Sequence, residues 1–305
     1  MGNTIDKEQN EDKNIKFLTA QRALYSRAKI LFGLQLILSG PVVIVLGLYS
    51  IYYSGFMPIT NLYTVFLSFL EILFFSRIIN KYKKMGATVQ EEFDCGILRI
   101  YWNDIIAQEK LSSEKVNEWS KKVSEKERGF VTNWYKDFPE IFPYSAARIV
   151  IQKYNTNWDN DLRSSFSVFI TMISCFIAIV ILLVFSVENL SFNDFYQIML
   201  PVLPITILLV LFYGENKSAM RNLDAVRNKL DEVWGDLSRS RKTEEELMTV
   251  SRNIQNAIYL HREISPLIFD WYYKWKSERQ QDNADYSVAR LAKDYSDFQG
   301  DFPVD

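Results

Sequence analysis

The sequence has few of the residues from which catalytic and metal sites are usually built. Among its 305 residues there is one histidine, His261, and there are two cysteines, Cys95 and Cys175. A single histidine cannot assemble a metal site, and two distant cysteines give neither a disulfide framework nor a zinc-binding spacing. We find no Ser-His-Asp set, Walker loop, Gly-x-Gly-x-x-Gly motif or Cys-x-x-Cys motif. We therefore predict no catalytic residue, no metal site and no cofactor, and we expect that the protein is not an enzyme.

Positive charge is not in excess either. The chain has 35 Lys and Arg against 37 Asp and Glu, which gives a net charge of −2. Long nucleic acids are bound mainly through cations that neutralise their phosphates, and no soluble segment of this chain is strongly basic. DNA and long RNA are therefore not expected partners.

Four long apolar stretches are the strongest feature of the sequence, and they come as two close pairs. They cover residues 30–53, 59–76, 164–187 and 195–213. Three of them contain no charged residue, and the second contains only Glu71. A helix needs about 20 apolar residues to cross a bilayer, and lipid favours helices because they satisfy their own backbone. The pattern predicts an all-α membrane protein with two transmembrane helical hairpins and a mainly helical cytoplasmic domain.

Lysine and arginine flank the outer ends of each pair and are absent from the two short connections within the pairs. Cytoplasmic loops of membrane proteins carry an excess of these residues. Residues 54–58 are uncharged, and residues 188–194 hold only two acids. We therefore predict a multi-pass protein of the lipid bilayer whose termini and central segment are cytoplasmic. The flanking cations are Arg22, Arg27, Lys29, Arg77, Lys81, Lys83, Lys84, Arg148, Lys153, Arg163, Lys217 and Arg221.

The predicted spans divide the chain into six parts. The soluble parts are a cytoplasmic N-terminal segment, a cytoplasmic module between the hairpins, a set of C-terminal helices, and a polar, acidic tail that we expect to be partly disordered. In chain order the parts are the N-terminal segment at 1–29, the first hairpin at 30–79, the module at 80–163, the second hairpin at 164–213, the C-terminal helices at 214–281 and the tail at 282–305.

Short-range patterns predict how the elements of the central module begin and end. A helix is expected from Ser145, and the Asn-Thr-Asn run at 155–157 is expected to end it. Apolar residues at 97–102 predict a strand or a buried helical turn. The acidic residues within 91–94 are close enough together to bind a hard cation, but exposed acidic side chains are the simpler expectation.

Three amphipathic helices are predicted after the fourth span. Apolar residues recur at spacings of three and four from 223 to 237 and predict the first. A capping box that begins at Thr243 predicts the start of the second. Ser265 followed by Pro266 is typical of the start of the third. Helices of this kind usually provide packing faces or oligomer contacts.

Glu71 is the only acidic residue within a predicted span. Ionisable groups in lipid are costly, and they usually face a partner or a water-filled path. Two interpretations remain open. Glu71 lies near the cytoplasmic interface or at a contact between helices, or it lines a pore or contacts a second subunit.

A series of short motifs follows a fixed order around the two predicted hairpins. They are Glu91-Glu92-Phe93-Asp94-Cys95, Leu98, Trp102-Asn103, Trp134-Tyr135, Ala147-Arg148, Gln152, Asn157-Trp158-Asp159, Leu162-Arg163, Ile258-Tyr259, Arg262, Pro266, Phe269 and Tyr272-Tyr273. In this order the chain resembles the SMODS-associated four-transmembrane effector family. The resemblance implies a CBASS-type anti-phage effector of the bacterial inner membrane. Such an effector would sense a cyclic di- or oligonucleotide second messenger, made by a partner nucleotidyltransferase on infection, and would damage the membrane.

The central module offers groups that suit a small anionic nucleotide. Basic side chains can bind phosphate, and aromatic side chains can stack on bases. In the alternative interpretation the arginines only maintain the positive cytoplasmic flank, and the aromatic residues only fill a core. The candidate ligand-binding residues are Trp134, Tyr135, Arg148, Gln152, Lys153, Trp158 and Arg163.

Three functions are compatible with these patterns. The first is an effector that a cyclic oligonucleotide activates, that forms a homo-oligomer, and that permeabilises the inner membrane by pore formation in abortive infection. The second is a constitutive small ion channel, which the lack of polar groups in three spans disfavours. The third is a membrane scaffold whose C-terminal part recruits a cytoplasmic partner.

Overall fold

Every regular element in the described part of the chain is a helix. The computed structural model describes residues 2–187, 192–237, 239 and 242–301, and within those ranges it contains no strand. This confirms the all-α prediction. The helices are α1 (Ile5–Glu8), α2 (Asp12–Ile37), α3 (Val43–Tyr52), α4 (Met57–Leu70), α5 (Ser76–Ile97), α6 (Asp104–Ala107), α7 (Ser113–Ser120), α8 (Glu125–Arg128), α9 (Tyr144–Val187), α10 (Phe192–Leu237), α11 (Glu244–Ile264) and α12 (Asp270–Asp301), with π-helical turns at Leu38–Val42 and Glu71–Phe75 and a 3-10 turn at Ser54–Phe56.

Three helical stretches of the described residues are long and apolar enough to cross a membrane. They are Asp12–Ser50, Met57–Ile97 and Tyr144–Val180. Each is longer than a predicted span and contains all or most of one of the first three, at 30–53, 59–76 and 164–187. The fourth predicted span, at 195–213, lies within α10, which packs along α9. The connection predicted between the third and fourth spans falls largely on residues 188–191, which lie outside the described residues.

The first pair of apolar helices is irregular around Pro41. The chain passes from α2 through the π-helical turn into α3 without leaving a helical course. Proline has no backbone N–H to donate, and a π-helical turn accommodates that gap. Tyr63 of α4 donates its hydroxyl hydrogen to the Leu38 carbonyl at 3.0 Å, which ties α4 to this turn. α3 and α4 pack against each other across the 3-10 turn, at the short connection that the sequence predicts between the first two spans.

α9 continues through the position where the sequence predicts a helix end. The Asn-Thr-Asn run at 155–157 lies within this 44-residue helix, so the predicted end is wrong. Such side chains end helices when they compete for backbone hydrogen bonds. Asn155 instead donates to the Tyr135 hydroxyl at 3.0 Å. The Thr156 hydroxyl donates to the Gln152 carbonyl, one turn back, at 2.6 Å. Contacts within and around the helix thus outweigh the local preference.

A helix end, and not a strand, occupies residues 97–102. α5 ends at Ile97, and Arg99 has a φ of 53°, the left-handed conformation common just after a helix. The Ile100 N–H donates to the Cys95 carbonyl at 3.0 Å and closes the turn. The predicted strand is therefore wrong, whereas a turn with buried apolar side chains is present.

The segment that follows α11 is irregular where the sequence predicts the start of a helix. Ser265 is the C-cap residue of α11, and α12 begins only at Asp270. Arg163 of α9 donates to the Pro266 carbonyl at 3.1 Å and holds this segment in place. The helix start predicted at Ser265 is wrong, whereas the capping box at Thr243 is confirmed.

One large apolar core, here called the main core, joins segments that look separate in the sequence. The tail at 282–305 is helical through Asp301, which differs from the partial disorder we predict for it, and residues 302–305 lie outside the described residues. Leu291 and Tyr295 lie one turn apart on this helix, and both are buried in the main core. Members of this core from seven segments are Phe17, Leu24, Phe93, Phe142, Ile149, Leu230, Ile254, Leu291 and Tyr295.

Candidate functional site

Two acidic residues of α5 form buried ion pairs with α11. Glu91 and Asp94 are 0% and 1% exposed, so the prediction that they are exposed is wrong. Arg252 lies 2.5 Å from Glu91, and Arg262 lies 2.5 Å from Asp94. Gln255 donates to both carboxylates at 2.8 and 3.0 Å. Buried charges persist when they are paired and hydrogen-bonded, and this network joins the two helices.

A second cluster, in which Arg163, Asn216 and His261 are buried and Asp159 is half-buried, joins α9, α10 and α11. Asp159 lies 2.9 Å from Arg163 and 2.5 Å from the His261 ring. Arg163 also donates to Asn216 at 3.1 Å. Burial raises the pKa of Asp159, but Arg163 and His261 outweigh burial and hold that pKa below its usual value. Burial, together with the nearby Arg163 and Arg262, lowers the pKa of His261 more than its contact with Asp159 raises it.

A cavity of about 350 Å³ lies beside this second cluster. Pockets for small molecules usually measure about 300–1,000 Å³. The wall comes mainly from α2, α9, α11 and α12 and from the connections at 130–134 and 265–269, with one residue each from α5 and α10. Two of these helices, α2 and α9, continue into apolar segments. The aromatic and charged residues of the wall are Arg22, Tyr25, Lys29, Phe130, Trp134, Tyr154, Trp158, Asp159, Arg163, His261, Arg262, Asp270 and Tyr273.

Three of the seven predicted ligand-binding residues line this cavity. They are Trp134, Trp158 and Arg163. Both tryptophans are half-buried, so part of each side chain remains accessible. Arg163 is buried and already paired with Asp159. The structure therefore brings together two aromatic surfaces and one arginine that the sequence singled out.

The other four predicted residues do not line this cavity. Tyr135 is 2% exposed and belongs to the main core, as the core-filling interpretation holds. Arg148 is 4% exposed and pairs with a glutamate of α11 at 2.9 Å. Gln152 is fully buried and donates to a backbone carbonyl of α11 at 2.8 Å. Lys153 pairs with an aspartate of α10 and lines a different cavity, which it shares with Trp158.

Two residues of α2 in the cavity wall, Gln21 and Arg22, are absent from the predicted site. Gln21 is 8% exposed, yet its Oε1 has no hydrogen-bond partner among the described residues. The Nε of Arg22 is also unpaired, and the guanidinium carbon lies 5.4 Å from the centre of the Phe130 ring. In the sequence Arg22 looks like one more flanking cation. The available signal was a polar pair within the mostly apolar run at 17–24.

Each acidic residue of the cavity wall already has a basic partner. Asp270 lies 2.5 Å from Lys29. Burial raises the pKa of Asp270, but Lys29, with a smaller contribution from Arg22, holds that pKa below its usual value. Asp159 is shared between Arg163 and His261. Arg22 itself forms no ion pair or hydrogen bond with a described residue, so the wall keeps a positive charge without a directly bound carboxylate.

Glu71 contacts the other helix of its pair. It accepts a hydrogen bond from Gln35 Nε2 at 2.7 Å, and Gln35 is 8% exposed. Ser50 and Thr60 form a second polar contact between these helices at 2.7 Å. A contact between helices is thus present at Glu71, and a role in a pore or subunit contact stays a prediction.

The sequence is similar to a known protein family. The family model described as the SMODS-associating 4TM effector domain matches residues 3–291. A protein of Bacillus cereus (strain VD146), named as a probable CBASS effector molecule, is 25% identical over 295 residues, which cover 94% of this chain and 97% of that protein. No solved structure matches.

Proposed function

Because this chain belongs to the SMODS-associating 4TM effector family, we propose that it is a membrane effector of CBASS antiviral defence that a cyclic di- or oligonucleotide activates. In this proposal it lies in the bacterial inner membrane with both termini in the cytoplasm. Ligand binding favours a homo-oligomer, which permeabilises the membrane and arrests the infected cell. The protein catalyses no reaction in this scheme.

The cavity beside α2 is the proposed binding site, and the unpaired guanidinium of Arg22 is the observation that carries the proposal. A cyclic nucleotide presents phosphates and flat bases, so its site needs positive charge and aromatic surfaces. Arg22 supplies a charge that no described carboxylate binds directly. Trp134 and Trp158 supply partly accessible rings in the same wall.

The same cavity is built from helices that continue into the membrane. α2 and α9 each extend from the cavity wall into an apolar segment. The Lys29–Asp270 pair and the Arg163–Pro266 hydrogen bond tie both helices to the segment around the start of α12. A ligand shifts such an arrangement only if it binds one arrangement better than the other. An anion that competes for either cation would loosen these ties.

Full-length protein in dye-filled liposomes tests the proposal. Cyclic oligonucleotides of defined ring size and base are added one at a time, and leakage should require one of them. Arg22→Ala should abolish the leakage, because it removes the unpaired charge of the cavity. Arg27→Ala is the matched control, since it removes an exposed cation from the same helix and flank, and it should leak like the wild type.

Each contrary outcome identifies a different error. Binding of a cyclic oligonucleotide without leakage contradicts permeabilisation. Equal losses in Arg22→Ala and Arg27→Ala would show that flank charge matters and the cavity does not. Leakage without any nucleotide favours the constitutive channel, which the Gln35–Glu71 contact within apolar segments supports, and Glu71→Ala should then stop that flux.

A further inference from the structure

Gln21 is a buried amide that lacks hydrogen-bond partners on the wall of the cavity. Its side chain is 8% exposed and lines the cavity. Its Oε1 has no partner, and no described residue binds its Nε2. Buried polar groups are nearly always hydrogen-bonded. An unpaired amide here indicates that a polar group of a ligand belongs opposite it.

We infer that the amide of Gln21 recognises the edge of a nucleobase in the activating ligand, while Arg22 binds a phosphate of the same ligand; this rests on the proposed function. A glutamine amide presents one acceptor and one donor side by side. That pair matches a base edge on which an N–H lies next to an acceptor, such as the N6 and N7 positions of adenine.

The different charges of Gln21 and Arg22 suit them to different parts of the ligand. The amide is neutral and directional, so it suits a base edge better than a phosphate. The guanidinium of Arg22 is charged, has an unpaired Nε, and lies over the Phe130 ring, so it suits an anion. Trp134 lines the same cavity and offers a face on which the base can stack.

This placement gives α2 a direct role in sensing. Gln21 and Arg22 lie on α2, and α2 continues into the first apolar segment. A base bound at Gln21 therefore contacts a membrane helix itself, without an intervening domain.

The test is a substitution that should change which base the site prefers. Gln21→Glu replaces the acceptor–donor pair by two acceptors, which suits the two adjacent donors, N1–H and N2–H, on guanine. The probes are cyclic di-adenylate, cyclic di-uridylate and cyclic di-guanylate, and binding to full-length protein in detergent micelles is measured by calorimetry. In Gln21→Glu, the ratio of the affinity for cyclic di-adenylate or cyclic di-uridylate to the affinity for cyclic di-guanylate should be about 10- to 100-fold lower than in the wild type. A change of this size is expected for the loss of one specific base contact.

Two further variants keep the inference falsifiable. Gln21→Leu should lower the affinity for the probe that the wild type binds most tightly by at least about tenfold. The unfolding midpoint of the ligand-free protein should stay near the wild-type value. If Gln21→Glu does not fold, the affinity of Gln21→Leu tests the role of Gln21. Gln108→Glu, an exposed position outside the cavity wall, should leave the ranking unchanged.

The outcomes separate this inference from the proposed function. Wild-type protein that binds a probe, with the same ranking and affinity in all three variants, overturns the role of Gln21 and leaves the sensor proposal standing. Wild-type protein that binds no probe and does not leak with any cyclic oligonucleotide overturns both.

Discussion

Arg252→Met should lower the free energy of unfolding by about 3–5 kcal/mol, because it leaves Glu91 charged and without its ion-pair partner in the protein interior. The two side chains are 2% and 0% exposed, and their closest atoms are 2.5 Å apart. Arg252 also donates to the Tyr101 carbonyl at 2.8 Å, a bond that methionine cannot make. Gln255 still donates to Glu91 at 2.8 Å, which favours the lower end of that range.

A double variant isolates the pair from the rest of the network. Glu91→Leu combined with Arg252→Met removes both charges, and apolar replacement of a whole buried pair is often tolerated. The double variant should therefore cost less than the sum of the single variants, by about 1–3 kcal/mol. The difference measures the coupling between the two side chains.

Denaturant unfolding of the full-length protein in detergent micelles, followed by tryptophan fluorescence, measures these costs. Lys229→Ala is the control, because Lys229 and Glu232 form a 2.7 Å pair whose side chains are 48% and 56% exposed. Such exposed pairs contribute about 0–1 kcal/mol. A cost below about 1 kcal/mol for Arg252→Met, or strict additivity in the double variant, would refute the reasoning that this pair is desolvated.

Three other outcomes are expected. Burial raises the pKa of Cys95 to about 12, so a Cys175→Ser variant should resist thiol alkylation at about pH 8 until it is denatured; rapid labelling of the folded protein would contradict this burial. Tyr295→Ala should lower the free energy of unfolding by about 3 kcal/mol, because its ring is buried in the main core, and an unchanged denaturation midpoint would mean that the tail does not pack there. Glu71→Gln should keep ligand-dependent liposome leakage, because it can preserve the contact with Gln35, whereas Glu71→Leu should reduce it; loss of leakage in both variants would instead favour a charged pore lining.

The apolar helices were predictable because their signal is local. A run such as 30–53 contains enough information to predict a membrane helix, and the Ser-Gly-Phe-Met-Pro sequence at 54–58 contains residue types that favour a turn. Helix ends within the rest of the chain were less predictable. Asn155 resembles a helix end in the sequence, but its hydrogen bond to Tyr135 holds it within α9. The tail resembles a solvated segment, but Tyr295 finds a place in a core built from distant segments.

The candidate site was predictable only in part, for a related reason. Aromatic and basic residue types led to Trp134, Trp158 and Arg163, which share one cavity. The same criteria selected Tyr135, which packs in the main core instead. The only sequence signal for Gln21 is the polar pair that it forms with Arg22 in a mostly apolar run, and this pair does not reveal that the fold leaves the Gln21 Oε1 without a hydrogen-bond partner among the described residues.

The unbroken course of α9 has a mechanical consequence. At about 1.5 Å per residue, the stretch from Asp159 in the cavity wall to Val187 extends about 42 Å. A stiff rod of that length acts as a lever, so a tilt of about 5° at the cavity displaces its far end by about 4 Å. Rearrangements deep in the bilayer can therefore follow from angular changes of only a few degrees on the aqueous side, without a hinge along the rod.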